Sequence, residues 1–272
     1  MNSVHHQRGV TLVELMIAVL IGLFIIAGVG QIYISSRAAS NLQERMSNLQ
    51  ENGRFGIFFL QRSLRKAGFP KSSGLSAFTT TPSNITCPMA AAVACTPDTS
   101  TATTTATCNG AGAASDQFAV CYQGTTDCLG QNVAAGVVTD FFFISTDAAT
   151  GVSRLMCRGS GNNTSQPLVD GIENMQVQYG QDTDGDSYAN NFVPANLVTD
   201  WTQVVAVRVS LLTSTNSNDA SAASSVGRVY GDTASDAQTY PVLEQTLPAS
   251  AVNTGARGRV FTTTIELRNR TP

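Results

Sequence analysis

Histidine is nearly absent from this chain of 272 residues: His5 and His6 are its only two, and both lie ahead of the first long apolar run. A Ser-His-Asp or Cys-His site elsewhere in the chain would have no base to use. Zinc, which takes clustered Cys and His, is disfavoured for the same reason, and no CxxC pair makes up the loss. Charge is scarce as well, at 13% of residues against roughly 25% in an average domain. A net charge of −3 gives no sign of nucleic acid as a partner. No Walker-type loop is present. Thr, Ser, Ala, Asn and Gly fill the space left by charge, a composition suited to a loop-rich β protein outside the cytoplasm.

The few charges are segregated. Between Ser35 and Lys71 stand Arg37, Arg45, Arg54, Arg62, Arg65, Lys66 and Lys71 against Glu44 and Glu51. From Ser72 onward there are eight Arg and sixteen acids. A basic stem therefore carries an acidic head. This suits stacking of subunits stem to head, and equally suits a solvated helix face. The six cysteines, Cys87, Cys95, Cys108, Cys121, Cys128 and Cys157, sit in loop-like sequence behind an apolar segment. An even number there points to disulfides in an oxidising compartment, with fifteen pairings open.

That apolar segment is the strongest feature. Leu15 to Ser36 carries no charge, and about 20 such residues span a bilayer as a helix. A secretory signal peptide would have a shorter apolar region and a small-residue cleavage site. A plain anchor would leave Glu14 unexplained, because a carboxylate just inside an apolar run is costly unless paired. Beyond the membrane half, Leu42, Met46, Leu49, Gly53, Ile57, Leu60, Leu64 and Ala67 recur at spacings of three and four, marking one helical face. Gly68-Phe69-Pro70 is a stop signal. A continuous helix from Val10 to Ala67 would be about 87 Å long.

The run Arg8-Gly9-Val10-Thr11-Leu12-Val13-Glu14-Leu15-Met16-Ile17-Ala18 resembles the N-terminal signal of type IV prepilins and type II secretion pseudopilins. The resemblance implies that a prepilin peptidase cleaves after Gly9 and N-methylates Val10, a position where many relatives have Phe. It places the Glu that is the family's fifth mature residue on Glu14, one helical turn from the new amine. In a filament core of low dielectric, Glu14 and the amine of a neighbouring subunit would neutralise one another. Gly9, with no side chain, lets a protease reach the backbone.

Asn48 to Phe55 and Leu60 to Phe69 resemble the stem of PilW-type minor pilins, and more distantly J-type minor pseudopilins. Asp127-Cys128-Leu129-Gly130, Leu155-Met156-Cys157-Arg158-Gly159, Pro167 to Gly180 and Phe261 to Arg270 extend the PilW resemblance into the head. It implies Cys128 bonded to Cys157, with Cys87, Cys95, Cys108 and Cys121 pairing locally.

Strand-like runs are Phe118 to Tyr122, Val137 to Ile144, Arg154 to Arg158, Ile172 to Tyr179, Val204 to Leu212 and Phe261 to Arg268. Met175, Val177 and Tyr179 alternate onto one face, as do Phe261, Thr263, Ile265 and Leu267. Residues 72–115, 214–225 and 231–255 read as loops. The expected fold is α+β and type IV pilin-like: a long N-terminal helix packed on an antiparallel sheet with disulfide-braced loops. The expected segments are a leader at 1–9, a transmembrane helix at 10–34, an amphipathic stem at 35–69 and a periplasmic or extracellular head at 70–272.

One motif suggests a ligand. Asp182, Asp184 and Asp186 occupy positions 1, 3 and 5 of a calcium-type loop, with the Tyr188 carbonyl at 7 and Asn190 at 9. The match ends at Ser187 in position 6, where such loops have Gly, and at Val193 in position 12, where they have Glu. The other reading is an Asp/Gly turn with solvated carboxylates.

The functional expectation is a non-enzymatic minor pilin that helps assemble or prime a type IV pilus. Its expected partners are prepilin peptidase, other minor pilins, the major pilin, a tip adhesin and inner-membrane lipid. It would sit in the inner membrane with its head in the periplasm, and then in the pilus at the cell surface. The alternatives are a type II secretion pseudopilin and a membrane-anchored binding or adhesion module.

Overall fold

The computed structural model describes residues 11–70, 77, 115–134, 136–215, 240–243, 245–247 and 258–268. The chain divides into two compact units, Met1–Arg45 and Met46–Pro272. A single helix, α1 (Leu12–Leu64), contributes to both. The apolar side chains of its first part, from Leu12 to Ile34, are exposed.

In the second unit α1 is the amphipathic stem that periodicity predicts. Leu49, Gly53, Gly56, Leu60 and Leu64 are buried, followed by Ala67. Each fully buried leucine contributes about 2 kcal/mol by leaving water. The helix ends at Leu64, three residues short of the predicted Ala67. The chain continues in turns with bonds from Lys66 N–H to the Ser63 carbonyl and from Ala67 N–H to the Leu64 carbonyl. Gly68, at φ 69°, takes the left-handed conformation that closes a helix.

Among the described residues, two four-stranded antiparallel sheets and a hairpin follow, where the sequence suggests one sheet. The first sheet is a meander of β1 (Phe118–Gln123), β2 (Val137–Thr146), β3 (Ser153–Gly159) and β4 (Ser165–Asp170). The second has β5 (Ile172–Gln181) between β6 (Asn191–Pro194) and β7 (Val204–Ser214), with β10 (Gly258–Glu266) beyond β7. The hairpin, β8 (Tyr240–Val242) and β9 (Gln245–Leu247), falls within 231–255, which reads as loop in sequence. Backbone pairing there outweighs a polar, Pro-containing sequence.

The stem lies closely on the second sheet because two glycines let it. A Cβ on Gly53 would overlap the Phe261 ring of β10, and one on Gly56 would come within 2.8 Å of the Leu211 side chain of β7. Gln61 Nε2 donates to Thr263 Oγ1 across the same junction at 3.3 Å. The free edge of β1 is occupied by the chain leaving the stem: Gly68 N–H donates to the Cys121 carbonyl, and Gln123 N–H to the Phe69 carbonyl. At the start of β1, Asp116 N–H donates to the Met175 carbonyl, and Val177 N–H donates to Asp116 Oδ2 at 2.8 Å, joining the two sheets. Leu60, Leu64, Phe118, Phe142, Leu155, Met175 and Tyr179 meet in the shared core, where Tyr179 and Trp201 pack edge to face at 4.8 Å.

Candidate functional site

The functional residues read from sequence fall at three places. At the N-terminus, α1 begins after Thr11, whose hydroxyl accepts from Glu14 N–H at 3.3 Å. Thr11 is thus an N-cap and Glu14 the third helical residue, the Thr-x-x-Glu spacing of a capping box. A carboxylate in the first turn also complements the positive end of the helix dipole. Glu14 is exposed. Gly9 and Val10 lie outside the described residues. From Leu12 the helix is long and apolar enough to cross a membrane, and none of its apolar window is buried. Its first charge after Glu14 is Arg37, whose guanidinium donates to Tyr33 Oη at 3.1 Å and stands over that ring at 5.5 Å.

The second place is the head's covalent brace. Cys128 is bonded to Cys157, the pairing that the resemblance implies. It ties the β1–β2 connection to β3. Cys121 is disulfide-bonded too. Cys87, Cys95 and Cys108 lie outside the described residues, so the local pairing expected among these four is not described. Two buried carboxylates fix the loop around Cys128. Asp127 accepts from Leu129 N–H, Gln131 N–H and Gly161 N–H at 2.8 to 3.0 Å. Asp140, on β2, accepts from Cys128 N–H at 2.7 Å and from the Tyr122 hydroxyl at 2.9 Å. Burial pushes the Asp140 carboxyl up to about 6, against the opposing pull of those two hydrogen bonds. The Cys128, Asp140 and Cys157 side chains lie within metal-ligating reach of one another. The disulfide consumes both thiols, so no thiolate is available to a metal.

Sequence reading missed Asp140. The visible signal was a lone acid inside the apolar strand Val137 to Ile144, a position that buries it.

The third place is the acidic turn between β5 and β6. Carboxylate oxygens of Asp182, Asp184 and Asp186 lie within 4.8 Å of one another. They already serve the loop itself. Asp182 accepts from Gly185 N–H at 2.7 Å and Ser187 N–H at 2.9 Å, and Asp186 accepts from Tyr188 N–H at 2.8 Å. Asn190 accepts from Thr183 N–H at 2.7 Å and donates to Asp184 Oδ2 at 3.1 Å. Ser187 adopts φ 72°, the left-handed conformation that glycine takes most easily. Tyr188 is exposed. The loop is therefore closed by its own hydrogen bonds, with acids at its tip.

Two family models match parts of this chain. The family model for type IV pilus-assembly protein W matches residues 141–269, from within β2 to just beyond β10. The prokaryotic N-terminal methylation motif matches residues 4–30. A search of curated proteins finds no match. Among solved structures, a type IV-like pilin from Thermus thermophilus is similar at 16% identity, covering 85% of this chain and 98% of that one, with a TM-score of 0.38. The methylation motif marks the chain for prepilin-peptidase processing and for pilus components as partners, and its long apolar helix anchors it in the inner membrane. With the methylation motif on an apolar helix and the assembly-protein signature on the disulfide-braced sheets behind it, the chain is similar to PilW-type minor pilins, structural subunits of pilus assembly.

Proposed function

We propose that prepilin peptidase cleaves this subunit between Gly9 and Val10 and methylates Val10, and that the mature chain then takes part in assembling or priming a type IV pilus with other minor pilins. The observation that carries this reading is the methylation motif over residues 4–30, ending in an apolar helix whose only early charge is Glu14. Extraction of that helix from lipid into a filament requires the Glu14 carboxylate to find a positive partner. The Val10 amine of a neighbouring subunit supplies one at the right depth. The head faces the periplasm before assembly and the cell surface afterwards, where its disulfides persist. A tip adhesin and the major pilin are the further partners of this reading.

The test is fractionation of filaments sheared from the cell surface. The chain is expected in the filament fraction together with the major pilin. Its presence only in the envelope of piliated cells contradicts filament entry and favours the pseudopilin alternative, provided the cells also carry a type II secretion apparatus. Recovery of a head that binds surface ligands without any pilus would favour the anchored binding module.

Calcium at the acidic turn is a second proposal. Three carboxylates within 4.8 Å support it, as does the left-handed backbone at Ser187 in the position where calcium loops have Gly. The ion would take oxygens from Asp182, Asp184 and Asp186, with the Tyr188 carbonyl and Asn190 completing the set.

A further inference from the structure

The Cys128–Cys157 bridge forms only after two thiols give up their protons, and one of the two is sealed from solvent. Cys157 has no exposed surface, whereas Cys128 is half-buried on the β1–β2 connection. Only a thiolate attacks a disulfide, and burial disfavours the charged form of a thiol. Histidine, the commonest side-chain base, is confined to His5 and His6 at the far N-terminus. Among the described residues, Asp140 is the acid whose carboxylate lies within 4.8 Å of both sulfurs. Direct contact or one bridging water closes a gap of that size.

The carboxylate is oriented for this use. Its Oδ1 accepts from Cys128 N–H at 2.7 Å and its Oδ2 from the Tyr122 hydroxyl at 2.9 Å. An ionised carboxylate has about four lone-pair sites, so these two donors leave room for a third. The titratable groups that act on it are Tyr122 from β1, Asp127 from the β1–β2 connection and Lys66 from the chain leaving the stem. From β3 the residue opposite is Gly159, and the neighbouring Arg158 guanidinium stands over the Phe141 ring at 5.1 Å. Asp127 raises the proton affinity of Asp140 and Lys66 lowers it, while burial, the largest influence, brings the carboxyl to about 6. Such a group is ionised at neutral pH yet accepts a proton more readily than a solvated acid.

We propose that Asp140 is the proton acceptor for closure of the Cys128–Cys157 bridge, and the proton donor when the bridge opens. The accessible Cys128 thiol releases its proton to solvent, and its sulfur attacks a donor disulfide of the glutathione or protein-disulfide class. One donor sulfur leaves as a thiolate and the other stays on Cys128 as a mixed disulfide. Asp140 then takes the proton from Cys157 Sγ, and that sulfur attacks Cys128 Sγ. The electron pair of the mixed disulfide leaves on the second donor sulfur. Two cysteine thiols are oxidised, and one donor disulfide is reduced to two thiols. Pairing of β2 with β3 brings the acid and Cys157 together, so the bridge closes faster on the formed sheet than in the open chain.

The test uses the full chain in detergent, reduced and then returned to an excess of glutathione disulfide. Acid-quenched samples are mapped by mass spectrometry, which follows conversion of the Cys128–glutathione adduct to the bridge. In wild type this rate is expected to rise through about pH 6 and then level. Asp140→Asn is expected to convert about 100-fold more slowly near neutral pH, with glutathione accumulating on Cys128. It should approach wild type near about pH 8.5, where thiolate forms unaided. Opening the bridge of the oxidised, folded chain with dithiothreitol probes the same group without refolding. The rate per dithiothreitol thiolate should fall through about pH 6 in wild type and stay level in Asp140→Asn. Equal closing rates in the two chains, parallel pH profiles in either direction, or glutathione trapped first on Cys157 overturn the inference.

Discussion

The Tyr122 hydroxyl donates to Asp140 Oδ2 at 2.9 Å beside the Cys128–Cys157 bridge, joining β1 to β2 through a carboxylate with no exposed surface. Burial raises the tyrosine above its ordinary value and pushes the acid up to about 6. An acid whose folded value exceeds its unfolded value, here 3.8, binds its proton more tightly in the fold. Its contribution is therefore most favourable below about pH 4 and is lost as pH rises through about 6. The shift is worth about 2–3 kcal/mol. Asp182 and Asp147 act with the opposite sign. Although desolvation pulls Asp182 upward, N–H donors from Gly185 and Ser187 hold it below its ordinary range. Those of Ala149 and Thr150 do the same for Asp147. The difference between wild type and Asp140→Asn isolates the Asp140 contribution. Urea denaturation should show the variant gaining about 2 kcal/mol relative to wild type between pH 4.5 and 7.5. A parallel pair of pH profiles would rule the buried-acid account out.

Gly53 is where the stem touches β10 most closely. Gly53→Ala improves helix propensity by up to ~1 kcal/mol but drives a methyl into the Phe261 ring. Overpacking is expected to win, with a net loss of about 1–3 kcal/mol. The double change with Phe261→Leu should recover part of the loss, as contacting pairs couple. Thermal unfolding of the detergent-solubilised chain measures both. A stabilised Gly53→Ala would show that the helix has room to move away.

The Cys128–Cys157 bridge closes a separation of 29 residues. A loop of that size is expected to contribute about 3.5 kcal/mol by restricting the unfolded chain. Replacing both cysteines with Ala should lower the urea midpoint accordingly, and the Asp140 bond to Cys128 N–H should loosen with it. An unchanged midpoint would mean that the Asp127 and Asp140 hydrogen bonds hold the loop without the bridge.

The acidic turn makes its own prediction. If it takes calcium, millimolar calcium should raise the melting temperature, and Asp184→Asn should remove the response. No rise at millimolar calcium would leave a solvated turn as the account of these residues.

Much of this architecture was legible because it is local. The 3.6-residue period of the stem and the apolar runs of β1, β2, β3, β5, β7 and β10 show in the sequence as written. β4 was not legible: it is an edge strand with an exposed face and Pro167 within it. The division into two sheets was not legible either, since β5 and β7 are buried on both faces and their partners are set by contacts distant in sequence. At the site, the motif from Arg8 to Ala18 announced processing. The Thr-x-x-Glu spacing that makes Thr11 an N-cap for Glu14 N–H is equally visible, but a carboxylate at the edge of an apolar run points first to a charged partner. Gly56 carried no signal, because its requirement comes from Leu211, over a hundred residues away.

Glu14 now has a local partner in Thr11 and a proposed distant one in the amine of a neighbour's Val10. Glu14→Gln keeps the helix and the backbone bond to Thr11 but removes the charge. Cleavage after Gly9 should proceed, while the yield of the chain in sheared filaments should fall severalfold. Equal incorporation of the variant would show that capping is the whole role of Glu14.

The central claim is that this is a processed filament subunit, and the N-terminus of the chain recovered from sheared surface filaments tests it most directly. Mass spectrometry of that material should find a peptide that begins at Val10 and carries one methyl group on its amine. A peptide still containing the Arg8–Gly9 junction, or a mature N-terminus at any other residue, would contradict it.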